Sequence, residues 1–152
     1  MATTGGEPVF LDTNVLVYAT QRQSPFHLSA RAAIQRWEVT GAGLWLSRQV
    51  LREYLAALSR PQQFLRPVPM AVLTADVRSF ARRFQVVEDG PQVSEQLLSL
   101  VEQFTVGGKQ VHDANIVATM LVHGVRRLLT HNTGDFARYG ELITILPVEA
   151  AS

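Results

Sequence analysis

The chain has 152 residues, with 14 Lys and Arg against 13 Asp and Glu, four His and no Cys, for a net charge of +1. That length suits one domain burying about 70% of its unfolded surface, and 47% hydrophobic with 18% charged residues excludes a disordered composition. The absence of Cys removes thiolate zinc sites, Cys nucleophiles and disulfide frameworks together.

At the N-terminus, Met1 to Pro8 lacks the basic flank and apolar run of a signal peptide. Residues 1–7 read as a flexible tail and 8–148 as a single domain. Nowhere does an apolar stretch approach the ~18 residues of a membrane span, so a cytoplasmic protein is expected. The short apolar run Val9-Phe10-Leu11 reads as a buried strand, and Asp12-Thr13-Asn14 as a turn into a helix over 15–19. A helical mixture follows over 28–39, then a second strand over 44–46. Ser47 is a plausible N-cap for a helix from Arg48 to about Ser59, which must end before Pro61.

Pro61, Pro67 and Pro69 mark an extended loop, followed by a helix over roughly 70–83 and a third strand over 85–87. Gly90-Pro91 opens a helix over 92–105. The segment 114–122 is apolar almost all round, the mark of a buried helix, and Gly124 terminates it. Residues 127–130 give a fourth strand and 143–146 a fifth, stopped by Pro147. Short apolar strands alternating with helices indicate an α/β sheet of parallel strands covered on both faces, whose ligands sit beyond the carboxyl ends of the strands.

Polar clusters stand where that rule directs attention. Asp12-Thr13-Asn14 follows the first strand, His112-Asp113-Ala114-Asn115 opens the buried helix, and Thr130-His131-Asn132-Thr133-Gly134-Asp135 follows the fourth strand. Taken singly, each has an ordinary explanation. Asp12 serves as a helix cap, Asp113 as a carboxylate favoured in a first helical turn, and Asp135 as a residue of a Thr-Gly turn. Glu53 lies roughly 130° from the centre of its helix's apolar stripe, which by periodicity alone makes it a solvated glutamate. Jointly they say more, because three of the chain's five Asp fall at one edge of the expected sheet. Converging carboxylates raise one another's pKa and are tolerable when a divalent cation neutralises them. Oxygen ligands without Cys point to Mg²⁺ or Mn²⁺ rather than zinc.

The motifs Val9-Phe10-Leu11-Asp12-Thr13-Asn14-Val15-Leu16, Arg52-Glu53-Tyr54, Val111-His112-Asp113-Ala114-Asn115-Ile116 and Thr130-His131-Asn132-Thr133-Gly134-Asp135-Phe136 occur in this order. With them the chain resembles the PIN-domain family, and more narrowly the VapC-type toxins of bacterial type II toxin–antitoxin pairs, over about residues 8–147. The resemblance implies a three-layer α/β/α sandwich around a five-stranded parallel sheet, and a Mg²⁺- or Mn²⁺-dependent endoribonuclease acting on tRNA or rRNA. It makes Asp12, Glu53, Asp113 and Asp135 the catalytic, metal-binding acids, and so places Glu53 in an acidic crevice despite its periodicity. Asn14, Thr130 and Asn132 would orient carboxylates or waters. The partners it implies are the RNA substrate, a second copy of the chain in a homodimer, and a VapB-like antitoxin that inserts an arginine-bearing tail into the acidic site.

A polyanionic substrate also needs basic groups, and Arg48, Arg52 and Lys109 are the candidates nearest the acids in sequence. No interleaving of aromatic and basic residues suggests base stacking. Trp37, Trp45 and the apolar helix faces over 28–58 offer a groove for the antitoxin, against which simple core packing is the more ordinary role of either Trp. Setting the four acids aside leaves 14 basic residues against nine acidic ones, so the +1 total conceals a segregated distribution. Two alternatives remain: a non-toxin PIN-fold module for RNA processing, RNA binding or partner binding, and, more weakly, a Mg²⁺-dependent phosphatase. The second needs another Asp two residues after Asp12, where Asn14 stands.

Overall fold

In the computed structural model, which describes residues 6–61 and 66–149, five strands form one parallel sheet in the order β3-β2-β1-β4-β5. They are β1 (Val9–Leu11), β2 (Leu44–Ser47), β3 (Gln85–Val87), β4 (Arg127–Thr130) and β5 (Thr144–Pro147). Residues 1–5 of the expected tail and 62–65 of the proline-marked loop lie outside the described residues. Val9, Phe10 and Leu11 are all fully buried. Successive strand residues point to opposite faces, so a strand buried throughout is covered on both sides. That makes the α/β/α sandwich expected from the sequence.

The covering helices are α1 (Thr13–Thr20), α2 (His27–Val39), α3 (Arg48–Leu58), α4 (Met70–Arg83), α5 (Pro91–Gln103) and α6 (Gln110–His123). Helix α1 packs on α2 and α3, α3 on α4, and α5 on α6. Gly124 ends α6 in the left-handed region at φ 72°, as its position in the sequence predicts. Trp37 and Trp45 pack half-buried against the core, and the Arg127 guanidinium lies 5.0 Å from the Trp37 ring centre. No helix among the described residues is long and apolar enough to cross a membrane.

Three boundaries differ from expectation. Helix α1 begins at Thr13 and α6 at Gln110, ahead of their apolar runs, because their first turns are polar. Pro147 is the last residue of β5 and pairs with Thr130. Proline is tolerated there because β5 is an edge strand with one unpaired side. A short helix α7 (Thr133–Phe136) and a 3₁₀ turn over Ala137–Tyr139 fill the stretch before β5. Too short for any periodicity, they are pinned by the buried Phe136 and Tyr139.

The strand order reverses between β1 and β4. The chain runs outward from β1 through β2 to β3, then returns to β4 on the other flank of β1. A crevice opens at such a switch point, beyond the strands' carboxyl ends. Asp12 and Thr130 stand there.

Candidate active site

Asp12 leaves β1 and caps α1, its Oδ1 accepting the backbone N–H of Thr13 at 2.8 Å. Its Oδ2 accepts the Thr130 hydroxyl at 2.8 Å across the switch point and the Asn14 side-chain amide at 3.2 Å. Capping and crevice roles thus coincide in one buried carboxyl. Burial pushes its pKa up to about 6, against the opposing pull of the hydrogen bonds from Thr130 and Thr13. The charges of Glu53 and Asp135 add to the rise.

Glu53 is not the solvated residue that periodicity suggests. The face of α3 opposite its apolar stripe looks onto the first turn of α1, where the Thr13 hydroxyl donates to Glu53 Oε1 at 2.7 Å. One turn earlier on α3, the Gln49 amide donates to Glu53 Oε2 at 3.0 Å. Gln49 is buried and fully engaged: its Nε2 also donates to the His112 carbonyl at 2.8 Å, and its Oε1 accepts the Asn115 amide at 2.8 Å. A single side chain therefore ties Glu53 to the first turn of α6. Sequence reasoning missed Gln49; the available signal was its i, i+4 spacing to Glu53.

Asp113 sits in that first turn of α6, half-buried, and no hydrogen-bond donor among the described residues reaches it. Burial first, then the charges of Asp12, Asp135 and Glu53, raise its pKa to about 7, with Arg138 opposing. Asp135, in the first turn of α7, is exposed. The four acids come from four separate segments, and each of the other three raises Asp113. Asp12, Glu53 and Asp135 thus all lie within electrostatic reach of Asp113.

The supporting residues divide. Thr130 and Asn14 hold Asp12, and Asn14 Oδ1 also accepts the His131 backbone N–H at 3.0 Å. Asn132 meets Thr130 through its backbone N–H, at 3.0 Å, rather than through its side chain. Arg48 makes a bidentate pair with Glu88, with contacts of 2.8 and 3.0 Å, and Arg52 lies 3.4 Å from Asp89. Both arginines are thus engaged by acids that follow β3. Lys109 is exposed immediately before α6. Arg138, absent from the sequence-based candidates, is the cation whose charge acts on Asp113.

A PIN-domain family model matches residues 9–142. The chain belongs to the PIN-domain family. Ribonuclease VapC48 of Mycobacterium tuberculosis is 30% identical to it over 131 residues, covering 84% of this chain and 89% of that protein. Ribonuclease VapC24 of the same organism is 29% identical over 133 residues, 86% of this chain and 90% of the relative. Among solved structures, DNA-bound VapBC from Salmonella typhimurium superposes with a TM-score of 0.66 at 20% identity, over 94% of this PIN domain's chain and 99% of the other.

Proposed function

We propose that this PIN domain is the toxin ribonuclease of a VapBC-type pair, a metal-dependent endoribonuclease cleaving phosphodiester bonds of structured RNA such as tRNA or rRNA. The observation that carries the reading is the convergence of Asp12, Glu53, Asp113 and Asp135 at the switch point, where two carboxyls are raised to about 6 and about 7. The similarity to VapC48 and VapC24 supports the reaction class.

The donor set suits Mg²⁺ or Mn²⁺: carboxylate oxygens, with no thiolate in the chain. Among the described residues no three acidic or histidine side chains close on one point. An ion of this kind usually keeps several of its waters, so an acid can hold it through a water as well as directly. Asp12, Glu53, Asp113 and Asp135 would share its binding between them. When bound, such an ion supplies positive charge to the phosphodiester and activates water for attack. The chain's own part is positional: Thr130 and Asn14 fix Asp12, while Thr13 and Gln49 fix Glu53. The same acidity offers a seat for the arginine-bearing tail of a VapB-like antitoxin, and the active unit is a homodimer.

The test is cleavage of tRNA and rRNA by purified protein with EDTA, Mg²⁺ or Mn²⁺. Activity is expected only with added metal. Asp12→Ala and Asp113→Ala should each lower it by at least roughly 100-fold while leaving the circular dichroism spectrum unchanged. Undiminished cleavage in either variant refutes the assignment, and a protein that neither cleaves RNA nor shows a carboxylate-dependent Mn²⁺ site in titration calorimetry favours the RNA-binding module instead.

A further inference from the structure

The crevice is not lined by acids alone. A cavity of about 250 Å³ has Asp12, Asp113 and Asn132 among its polar lining and Val17 and Tyr18 of α1 with Ala57 of α3 as its apolar lining. Phosphodiester chemistry at hydrated ions has no use for an apolar wall. The flat face of a base beside the scissile phosphate does, since bases stack on aromatic rings whatever their identity.

Tyr18 is built for such a role. The chain's other tyrosines, Tyr54 and Tyr139, are 0% and 1% exposed, whereas Tyr18 stays half-buried on the cavity wall. Its ring is braced by Phe26, with centres 5.0 Å apart and planes tilted by 50°, and by His131, edge-on at 5.1 Å. Phe26 and His131 are themselves 4.1 Å apart. The brace is tied to the acids, because the His131 backbone N–H donates to Asn14, whose amide donates to Asp12. On the other side, the His27 Nδ1–H donates to the Tyr18 carbonyl at 2.9 Å. Residues 18, 26 and 27 are near in sequence but His131 comes from the far end of the chain, so no single aromatic motif announces the cluster. A ring braced in this way gives up little freedom when a base settles on it.

We infer that Tyr18 forms the wall of a nucleobase subsite, stacking on an unstacked base next to the scissile phosphate while the acids face the phosphate itself. The inference rests on the ribonuclease reading and deepens it by assigning a substrate contact outside the acidic quartet.

The test pairs protein and substrate changes. Once the cleavage site is mapped, an oligoribonucleotide spanning it is compared with versions made abasic, one position at a time, on either side of the scissile bond. The proteins are wild type, Tyr18→Leu, which keeps apolar bulk against Phe26 and His131 without a π-face, and Tyr18→Phe, which keeps the ring; thermal melts check their folding. In the wild type one abasic position should lower kcat/KM by roughly 5- to 100-fold. Tyr18→Leu should lose a similar factor on the intact RNA and nothing further on that abasic RNA, and Tyr18→Phe should recover most of the loss. Such non-additivity marks direct contact. Equal losses on intact and abasic substrates, or no loss in Tyr18→Leu, overturn the inference. A wild-type protein that cleaves no RNA with either metal overturns the ribonuclease reading itself, a result distinct from both.

Discussion

Gln49 shows how a neutral side chain can organise a charged site. Its amide spends two donors and one acceptor on three partners from α3 and α6. Replacing it with Leu preserves bulk but removes all three hydrogen bonds and leaves the half-buried Asn115 amide without its Gln49 acceptor. Gln49→Leu should therefore cost about 1–3 kcal/mol in urea unfolding. It should also weaken Mn²⁺ binding by roughly 10-fold in titration calorimetry, because Glu53 loses one of its two fixing donors. A loss of stability with unchanged Mn²⁺ affinity would make Gln49 a packing residue only. Asp12, Asp113 and Asp135 were legible in the sequence because they flank apolar runs at expected strand ends and helix starts. Glu53 was not legible from periodicity, which reports the side of α3 facing the core and cannot distinguish a crevice from bulk water. Gln49 stayed hidden because two of its three partners lie on α6, and Tyr18 because His131 reaches it from the far end of the chain.

At the scale of elements, all five strands and six of the helices were legible, because apolar runs and Gly, Pro and Ser punctuation mark their interiors and ends. The two misplaced helix starts share a cause: first turns that face the crevice carry polar residues, so α1 and α6 start before their apolar patterns do. Helix α6 also separates stability from function along its length. Asp113 lies in its first turn and Gly124 just beyond its last, about 16 Å apart at 1.5 Å per residue. A Cβ added at Gly124 meets no atom within 4 Å, so Gly124→Ala is opposed only by its φ of 72°. The variant should lose about 1 kcal/mol in thermal unfolding while its RNA cleavage stays at the wild-type rate. A matching fall in cleavage would show that the far end of α6 governs the placement of Asp113.

Across the whole molecule, the near-balance of charge combines acids gathered at the crevice with several arginines already paired to other acids. Arg48, Arg52 and Arg83 pair with Glu88, Asp89 and Glu38, leaving the crevice acids with Arg138 as their named counter-charge. Burial of these carboxyls, with crowding added to it, links stability to pH. Asp12 and Asp113 have ordinary values near 3.8, raised in the fold to about 6 and about 7. Between those limits the native state holds more protons than the unfolded chain, so native stability falls as pH rises from about 4 to about 7, then levels off. Asp12, which is buried, contributes roughly 3 kcal/mol to that fall at 1.36 kcal/mol per pKa unit; Asp113 adds less than its shift implies, because solvent screens its exposed half. In EDTA the urea midpoint should accordingly be higher at pH 5 than at pH 8. Asp12→Asn should flatten the slope by removing the charge that burial penalises. Mg²⁺ added at pH 8 should raise the wild-type midpoint and do markedly less for Asp12→Asn, since an ion that binds only the folded crevice stabilises it by mass action. A wild-type midpoint indifferent to pH over this range would show that burial and neighbouring charge do not raise these carboxyls, and a midpoint indifferent to Mg²⁺ at pH 8 would show that the crevice does not serve a cation.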